Sequence, residues 1–221
     1  MKDSKKYLIS SIILVTIAIV YTMLVKCVDV GAIGPDGSKV GFQAINDFFR
    51  NLLPLNMTMY KISKYLGYVP ILLGVYYGFV GIMQLIKGKS LKKVDKRIIA
   101  LGVFYVVVLL VYIFFEKVII NYRPFIIDAK EGLEASYPSS HMLLALCFCA
   151  SSLMISKHYF KNKTVKMITD IATWILMIGI IIGRILAGCH WISDIFGGII
   201  ISLALLNILY MVFIKLDEKT K

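Results

Sequence analysis

Charged residues make up only 17% of the 221 positions, and acidic residues number 13 against 25 basic ones. So little charge cannot clothe a water-soluble globule of this size. No repeat of 20 to 50 residues is visible, which argues against a transporter built from inverted repeats. Lipid-attachment signals and low-complexity tails are also missing. The basic segment Met1 to Lys6 precedes an apolar run in the manner of a signal peptide. No small-residue cleavage site follows, and the run exceeds the roughly 7 to 15 residues of a signal core, so it reads as an uncleaved anchor. The net charge of +12 lacks the interleaved aromatic platform of a nucleic-acid surface, so no nucleic-acid partner is expected. Of the four cysteines, Cys147 and Cys149 project to different faces of one helix, and Cys27 and Cys189 fall near one membrane face. Apolar packing is the reading for all four.

What the chain has is hydrophobicity in long blocks: 59% of residues are hydrophobic and the mean hydropathy is +0.80. Six spans are expected at about 7–25, 66–86, 98–116, 138–156, 167–187 and 191–214, most of them near the roughly 20 residues needed to cross a bilayer. The fourth apolar run is short, and Pro138, Ser139, Ser140 and His141 are expected to form its first turn. The fold class is therefore all-α, a six-transmembrane-helix bundle forming one domain over 1–221. Residues 42–53 read as a short interfacial helix with Phe48 and Phe49 on lipid. Tyr65, Tyr68, Tyr76 and Tyr77 read as belt and packing positions.

Orientation follows from the basic residues, because positively charged loops near span ends stay in the cytoplasm. Six spans place the N-terminus, the second and fourth loops and the C-terminus on one side. That side carries Lys2, Lys5, Lys6, Lys87, Lys89, Lys92, Lys93, Lys96, Arg97, Lys157, Lys161, Lys163, Lys166, Lys215, Lys219 and Lys221, which is 16 of the 25. Both termini are expected in the cytoplasm and the third and fifth loops outside.

Three polar clusters border the spans on that outer side, where ionisable groups are costly unless used. They are Asn121, Tyr122, Arg123 and Pro124; Tyr137, Pro138, Ser139, Ser140 and His141; and Gly183 and Arg184 with His190 and Asp194. Two arginines offer planar charged forks matched to phosphoryl oxygens. Ser139 and the amides at the start of the fourth span add donors where the helix dipole favours an anion. His190 and Asp194 are four apart, so on a helix they share a face and the carboxylate can orient the imidazole. His141 remains free for proton transfer. An anion clamp, an activated nucleophile and a separate acid/base are the minimum for phosphoryl transfer through a covalent intermediate. Asp128, Glu131 and Glu134 read as loop solvation or the rim of the site.

These residues resemble the type 2 phosphatidic acid phosphatase family, integral membrane enzymes related to vanadium-dependent haloperoxidases. The family pattern runs Lys, six residues, Arg-Pro; then Pro-Ser-Gly-His; then Ser-Arg, five residues, His, three residues, Asp. Arg123 and Pro124, then Pro138, Ser139 and His141, then Arg184, His190 and Asp194 match it. Glu116 stands at the family lysine, with Lys117 next to it and offset by about 120° on a helix. Gly183 stands for the family serine and Ser140 for the glycine. The resemblance implies a lipid phosphate phosphatase at the extracytoplasmic face of the cell membrane. His190 would be the nucleophile, Asp194 its orienting partner and His141 the acid/base. Arg123, Arg184, Ser139 and Ser140, with Lys117 as a further candidate, would bind the substrate phosphate. No metal and no cofactor are implied. Undecaprenyl diphosphate, phosphatidylglycerol phosphate and phosphatidic acid are the candidate substrates. The alternatives are a lipid phosphotransferase using the same histidine and a non-catalytic lipid-phosphate binding protein.

Overall fold

The computed structural model describes residues 2–218; Lys219 and Lys221, counted above in the basic C-terminal segment, lie outside them. The described chain is helical: α1 (Lys2–Cys27), α2 (Gln43–Leu52), α3 (Met57–Leu66), α4 (Val69–Gly88), α5 (Lys96–Lys117), α6 (Ser140–Tyr159), α7 (Lys163–Leu186) and α8 (Ile192–Glu218). Six stretches are long and apolar enough to cross a membrane: Lys5–Cys27, Met57–Gly88, Lys96–Lys117, Ser140–Tyr159, Lys163–Leu186 and Ile192–Glu218. The chain is a multi-pass membrane protein. Its helices carry their apolar side chains outward, as in Ile12, Met23, Leu72, Leu110 and Ile175, because lipid is the solvent on that side.

Helix starts are set by side chains that satisfy free amides. Asn56 accepts from Met59 N, Asp95 from Arg97 N, and Asn162 from Thr164 N and Val165 N. The bundle is built around α6, the most enclosed span, which packs on α4, α5, α7 and α8; α1 lies along α8. Small residues on α6, including Ala145, Ser151, Ser152 and Ser156, are buried and let neighbouring backbones approach, as membrane helix packing favours. The Tyr7 and Tyr210 rings meet at 4.9 Å, and Arg97 pairs with Asp217. The described ends of the chain therefore share one end of the bundle with the start of α5.

Several expected boundaries shift; α1 and α7 each begin earlier than expected, at Lys2 and Lys163. The second span begins at Met57, since α3 precedes α4 with a break at Gly67 and Tyr68. The last helix continues to Glu218. Helix α6 starts at Ser140, so Pro138 and Ser139 lie ahead of its first turn. The reason is tertiary: Ser139 N donates to Asp194 O at 3.0 Å, a bond outside the helix. The short helix expected over residues 42–53 forms as α2, with Ile45, Phe48 and Leu52 exposed along one face and Asn46 buried on the other. Phe48 faces outward, whereas Phe49 is half-buried.

Candidate active site

The three polar clusters meet at the end of the bundle opposite the described chain ends, held by hydrogen bonds that run between segments. Arg123 N donates to Glu134 O at 3.0 Å and Ser136 N to Asn121 O at 2.9 Å. This short antiparallel contact sets the residues after α5 beside those before α6. Asn121 Nδ2 donates to Asp194 Oδ1 at 3.0 Å, and Trp191 Nε1 donates to Tyr122 O at 2.6 Å. Asn46 on α2 ties in from the side: its Nδ2 donates to Ser193 Oγ at 2.9 Å, and its Oδ1 accepts from Ser193 N at 3.1 Å. Such side chain to backbone bonds fix loops that apolar packing alone would leave loose.

His190 is fully surrounded. Its Nδ1 lies 3.0 Å from Ser136 Oγ and 3.1 Å from Ser136 O, and its Nε2 lies 2.8 Å from Arg184 Nη2. Ser136 Oγ donates to Asp194 Oδ2 at 2.6 Å, so it has only lone pairs to offer the ring. A carbonyl likewise only accepts. Nδ1 must therefore carry the proton, and Nε2 keeps its lone pair, which accepts from Arg184. Burial, reinforced by the charges of Arg123 and Arg184, pushes the imidazole well below the ordinary histidine range, so the ring is neutral in the resting protein.

The direct His190–Asp194 pairing expected from their spacing does not form. Helix α8 begins at Ile192, leaving His190 in the bend before it, so the two do not share a helical face. Asp194 instead caps its own helix, accepting from Trp191 N at 3.1 Å, and reaches His190 through the Ser136 hydroxyl. All its partners are donors, as a carboxylate requires.

Arg184 is brought into contact with His190, and Arg123 lies near enough for its charge to act on the ring. Arg123 Nε lies 2.9 Å from Glu134 Oε2, and Arg184 Cζ stands 5.5 Å from the Tyr60 ring centroid. Five donor or acceptor atoms of this group are buried without a partner among the described residues: Arg123 Nη1, Arg184 Nε and Nη1, Ser139 Oγ and His141 Nδ1. Buried polar atoms are rarely left so, because each costs about 1–3 kcal/mol. Guanidinium groups left unsatisfied at the mouth of a helix bundle have the chemistry of an oxyanion pocket.

Ser140 and Glu116 line a small cavity together with Ser136, Pro138 and His190. Lys117 is the last residue of α5, exposed and outside that lining. The structure therefore does not bring Lys117 to the cluster; position 116 is the one that faces it. Phe115 also borders a second, apolar cavity of about 590 Å³ between α1, α5 and α8, so an apolar space adjoins the polar one.

Three residues at the site, Ser136, Tyr60 and Ser63, were not found in the sequence, nor was Lys64 beside them on α3. Ser136 lies in a loop without helical spacing to mark it. Tyr60, Ser63 and Lys64 belong to α3, whose mixed polarity hides it beside the apolar run of α4. Ser63 fills the space opened at position 183: a Cβ built on Gly183 would fall 2.9 Å from Ser63 Cβ, so the small residue on α7 admits α3.

The PAP2 superfamily model matches residues 97–217. Among solved structures, the chain is similar to a transmembrane PAP2-type phosphatidylglycerolphosphate phosphatase from Bacillus subtilis. The TM-score is 0.58 and the identity 16%, over 96% of this chain and 97% of that one. No curated protein matches.

Proposed function

The chain belongs to the PAP2 superfamily, and on that premise we propose that it is a membrane phosphatase that hydrolyses a lipid phosphomonoester or diphosphate through a phosphohistidine at His190. The observation that carries this reading is the set of buried, unpartnered donors on the segments gathered at His190: Arg123 Nη1, Arg184 Nε and Nη1, and Ser139 Oγ. A phosphoryl group offers the oxygens they lack. The Ser140 amide, at the N-terminus of α6, adds a donor aligned with the helix dipole.

In the first step the Nε2 lone pair of His190 attacks phosphorus and the bond to the leaving oxygen breaks. His141, close to the clamp on the first turn of α6, gives its proton to that oxygen. Arg184 passes from Nε2 to the phosphoryl oxygens as the bond forms, so the same guanidinium serves both states. Asp194, acting through Ser136, stabilises the positive charge that develops on the ring. In the second step His141 takes a proton from water as its oxygen attacks phosphorus, the P–Nε2 bond breaks and inorganic phosphate leaves. The apolar cavity beside Phe115 favours an amphiphile whose chain lies along α1, α5 and α8 while its phosphate reaches His190. Phosphatidylglycerol phosphate, undecaprenyl diphosphate and phosphatidic acid fit that description.

The basic ends of the helices favour both termini in the cytoplasm and the site at the outer face of the cell membrane. The deciding assay is phosphate release from undecaprenyl diphosphate and phosphatidylglycerol phosphate by detergent-purified protein, with chelator present, beside its His190→Ala variant. Release is expected from at least one lipid, reduced by about a thousandfold or more in the variant. A His190→Ala protein as active as the wild type would remove the phosphohistidine from the scheme.

A further inference from the structure

A phosphomonoester brings nearly two negative charges, yet the residues around His190 supply little net charge to meet them. Arg123 already faces the Glu134 carboxylate at 2.9 Å. Glu116 adds a second carboxylate to the wall of the cavity that reaches His190. Set against two guanidinium groups, these two acids leave the clamp close to neutral.

The missing cation stands on α3. Tyr60, Ser63, Lys64 and Gly67 recur at intervals of three and four along this helix and its cap, so they form one face. Three of them touch the site. The Tyr60 ring lies under Arg184, Ser63 is buried against Gly183, and a Cβ built on Gly67 would fall 2.5 Å from His141 Cδ2. Lys64 shares that face and is half-buried, with its Nζ 5.7 Å from the same Tyr60 centroid. No carboxylate among the described residues forms an ion pair with it. Together with Arg184 and Arg123 it is one of three cations whose field reaches His141. The Tyr60 ring thus borders two cations. It holds each weakly enough for a phosphate to draw it away.

We propose that Lys64 is a phosphate-binding residue, swinging on its flexible stem to donate to the phosphoryl oxygens of the bound headgroup and offsetting the carboxylate of Glu116 across the cavity. This assignment rests on the phosphatase reading above. A lysine suits the role because its ammonium is a point charge on a four-carbon arm, free to follow the substrate as it arrives and leaves.

The test uses detergent-purified, full-length protein and two readouts: inorganic phosphate binding by calorimetry, and turnover of the lipid that the wild type hydrolyses. Lys64→Gln is expected to weaken phosphate binding and raise KM about ten- to a hundredfold. Lys64→Arg is expected to keep most of both, and Glu116→Lys in the Lys64→Gln background to recover at least about tenfold. Phosphate binding within about twofold of wild type in Lys64→Gln would overturn the assignment. So would a Lys64→Arg variant as impaired as Lys64→Gln, since a packing role would not respect charge. Failure of Glu116→Lys to recover binding would overturn the opposition of the two positions across one phosphate. A wild type that binds phosphate through Lys64 but hydrolyses no lipid would defeat the phosphatase reading and leave this one standing. Normal turnover with an unaffected Lys64→Gln would do the reverse.

Discussion

Ser136 couples two groups that the chain does not let meet. Its hydroxyl gives its proton to Asp194 Oδ2 at 2.6 Å while its oxygens face His190 Nδ1 at 3.0 and 3.1 Å, so one residue fixes both the carboxylate and the ring tautomer. Ser136→Ala removes a hydrogen bond to a buried charge, worth about 1–3 kcal/mol. The expected result is a loss of about ten- to a hundredfold in kcat with KM nearly unchanged, because Nε2 and the arginines stay in place. The 15N-histidine spectrum should still show Nδ1 protonated, because the carbonyl of residue 136 and Arg184 remain in place; an unchanged kcat with a lowered melting temperature would make the Ser136 hydroxyl merely structural. Protonation of the same ring follows from its surroundings. Burial first, and then Arg123 and Arg184, depress it in the folded protein, whereas the unfolded chain protonates near pH 6.5. The ring therefore stays neutral as the pH falls through that value. The stability it contributes is full above about pH 6.5 and is lost as the pH drops towards the depressed folded value. With only three histidines, the titration can be followed residue by residue. His190 should remain neutral through about pH 6.5, and Arg123→Gln should move its titration upward; a wild-type ring that protonates at or above that pH would contradict the electrostatics.

Helix α3 shows what one element contributes when its face, rather than its hydropathy, matters. Gly67 at its end lets the chain pass within reach of the His141 ring, where a methyl group would fall 2.5 Å from Cδ2. Gly67→Ala must push the ring or the helix aside. A misplacement of that order at a reacting group costs about a hundredfold in rate, so activity is expected to fall about ten- to a hundredfold. Gly78→Ala, on α4 with open space around it, serves as the control that keeps wild-type activity, and equal activity in both variants would sever α3 from the chemistry. The same helix marks the limit of what was legible in the sequence. The six spans could be read because most are apolar over a membrane's width, and Arg123, Ser139, His141, Arg184, His190 and Asp194 because their spacings fall at span ends. The mixed residues 57–65, with Lys61 and Lys64 among tyrosines, carry no such run, and their role exists only once α3 lies against α7. Where α6 begins was equally hidden, since Pro138 suits the first turn of a helix as well as the residues before it, and the Ser139–Asp194 backbone bond decides between them.

For the molecule as a whole, the helix bundle gathers the site at one end and most of the basic loops at the other, and the chain carries its own probe of which end faces outward. Cys27 closes α1 and is exposed, while Cys147, Cys149 and Cys189 are buried. The neighbouring Lys26 Nζ donates to Ile119 O at 3.1 Å, which sets Cys27 at the end that holds His190. At the opposite end Lys92, in the turn between α4 and α5, is exposed. On the proposed topology, with basic loops retained in the cytoplasm, Lys92 is expected inside and Cys27 outside. A membrane-impermeant maleimide added to intact cells is therefore expected to label the wild type at Cys27 and to leave Cys27→Ser unlabelled. A Lys92→Cys variant in the Cys27→Ser background should react only after the membrane is opened. The reverse pattern, with the Lys92→Cys variant labelled in intact cells and the wild type protected, would place the phosphoryl clamp in the cytoplasm, and its substrate would then be drawn from the inner leaflet. Labelling from outside would instead require the lipid phosphate to be presented at the outer leaflet, so the orientation of one cysteine determines which pool of lipid this site can reach.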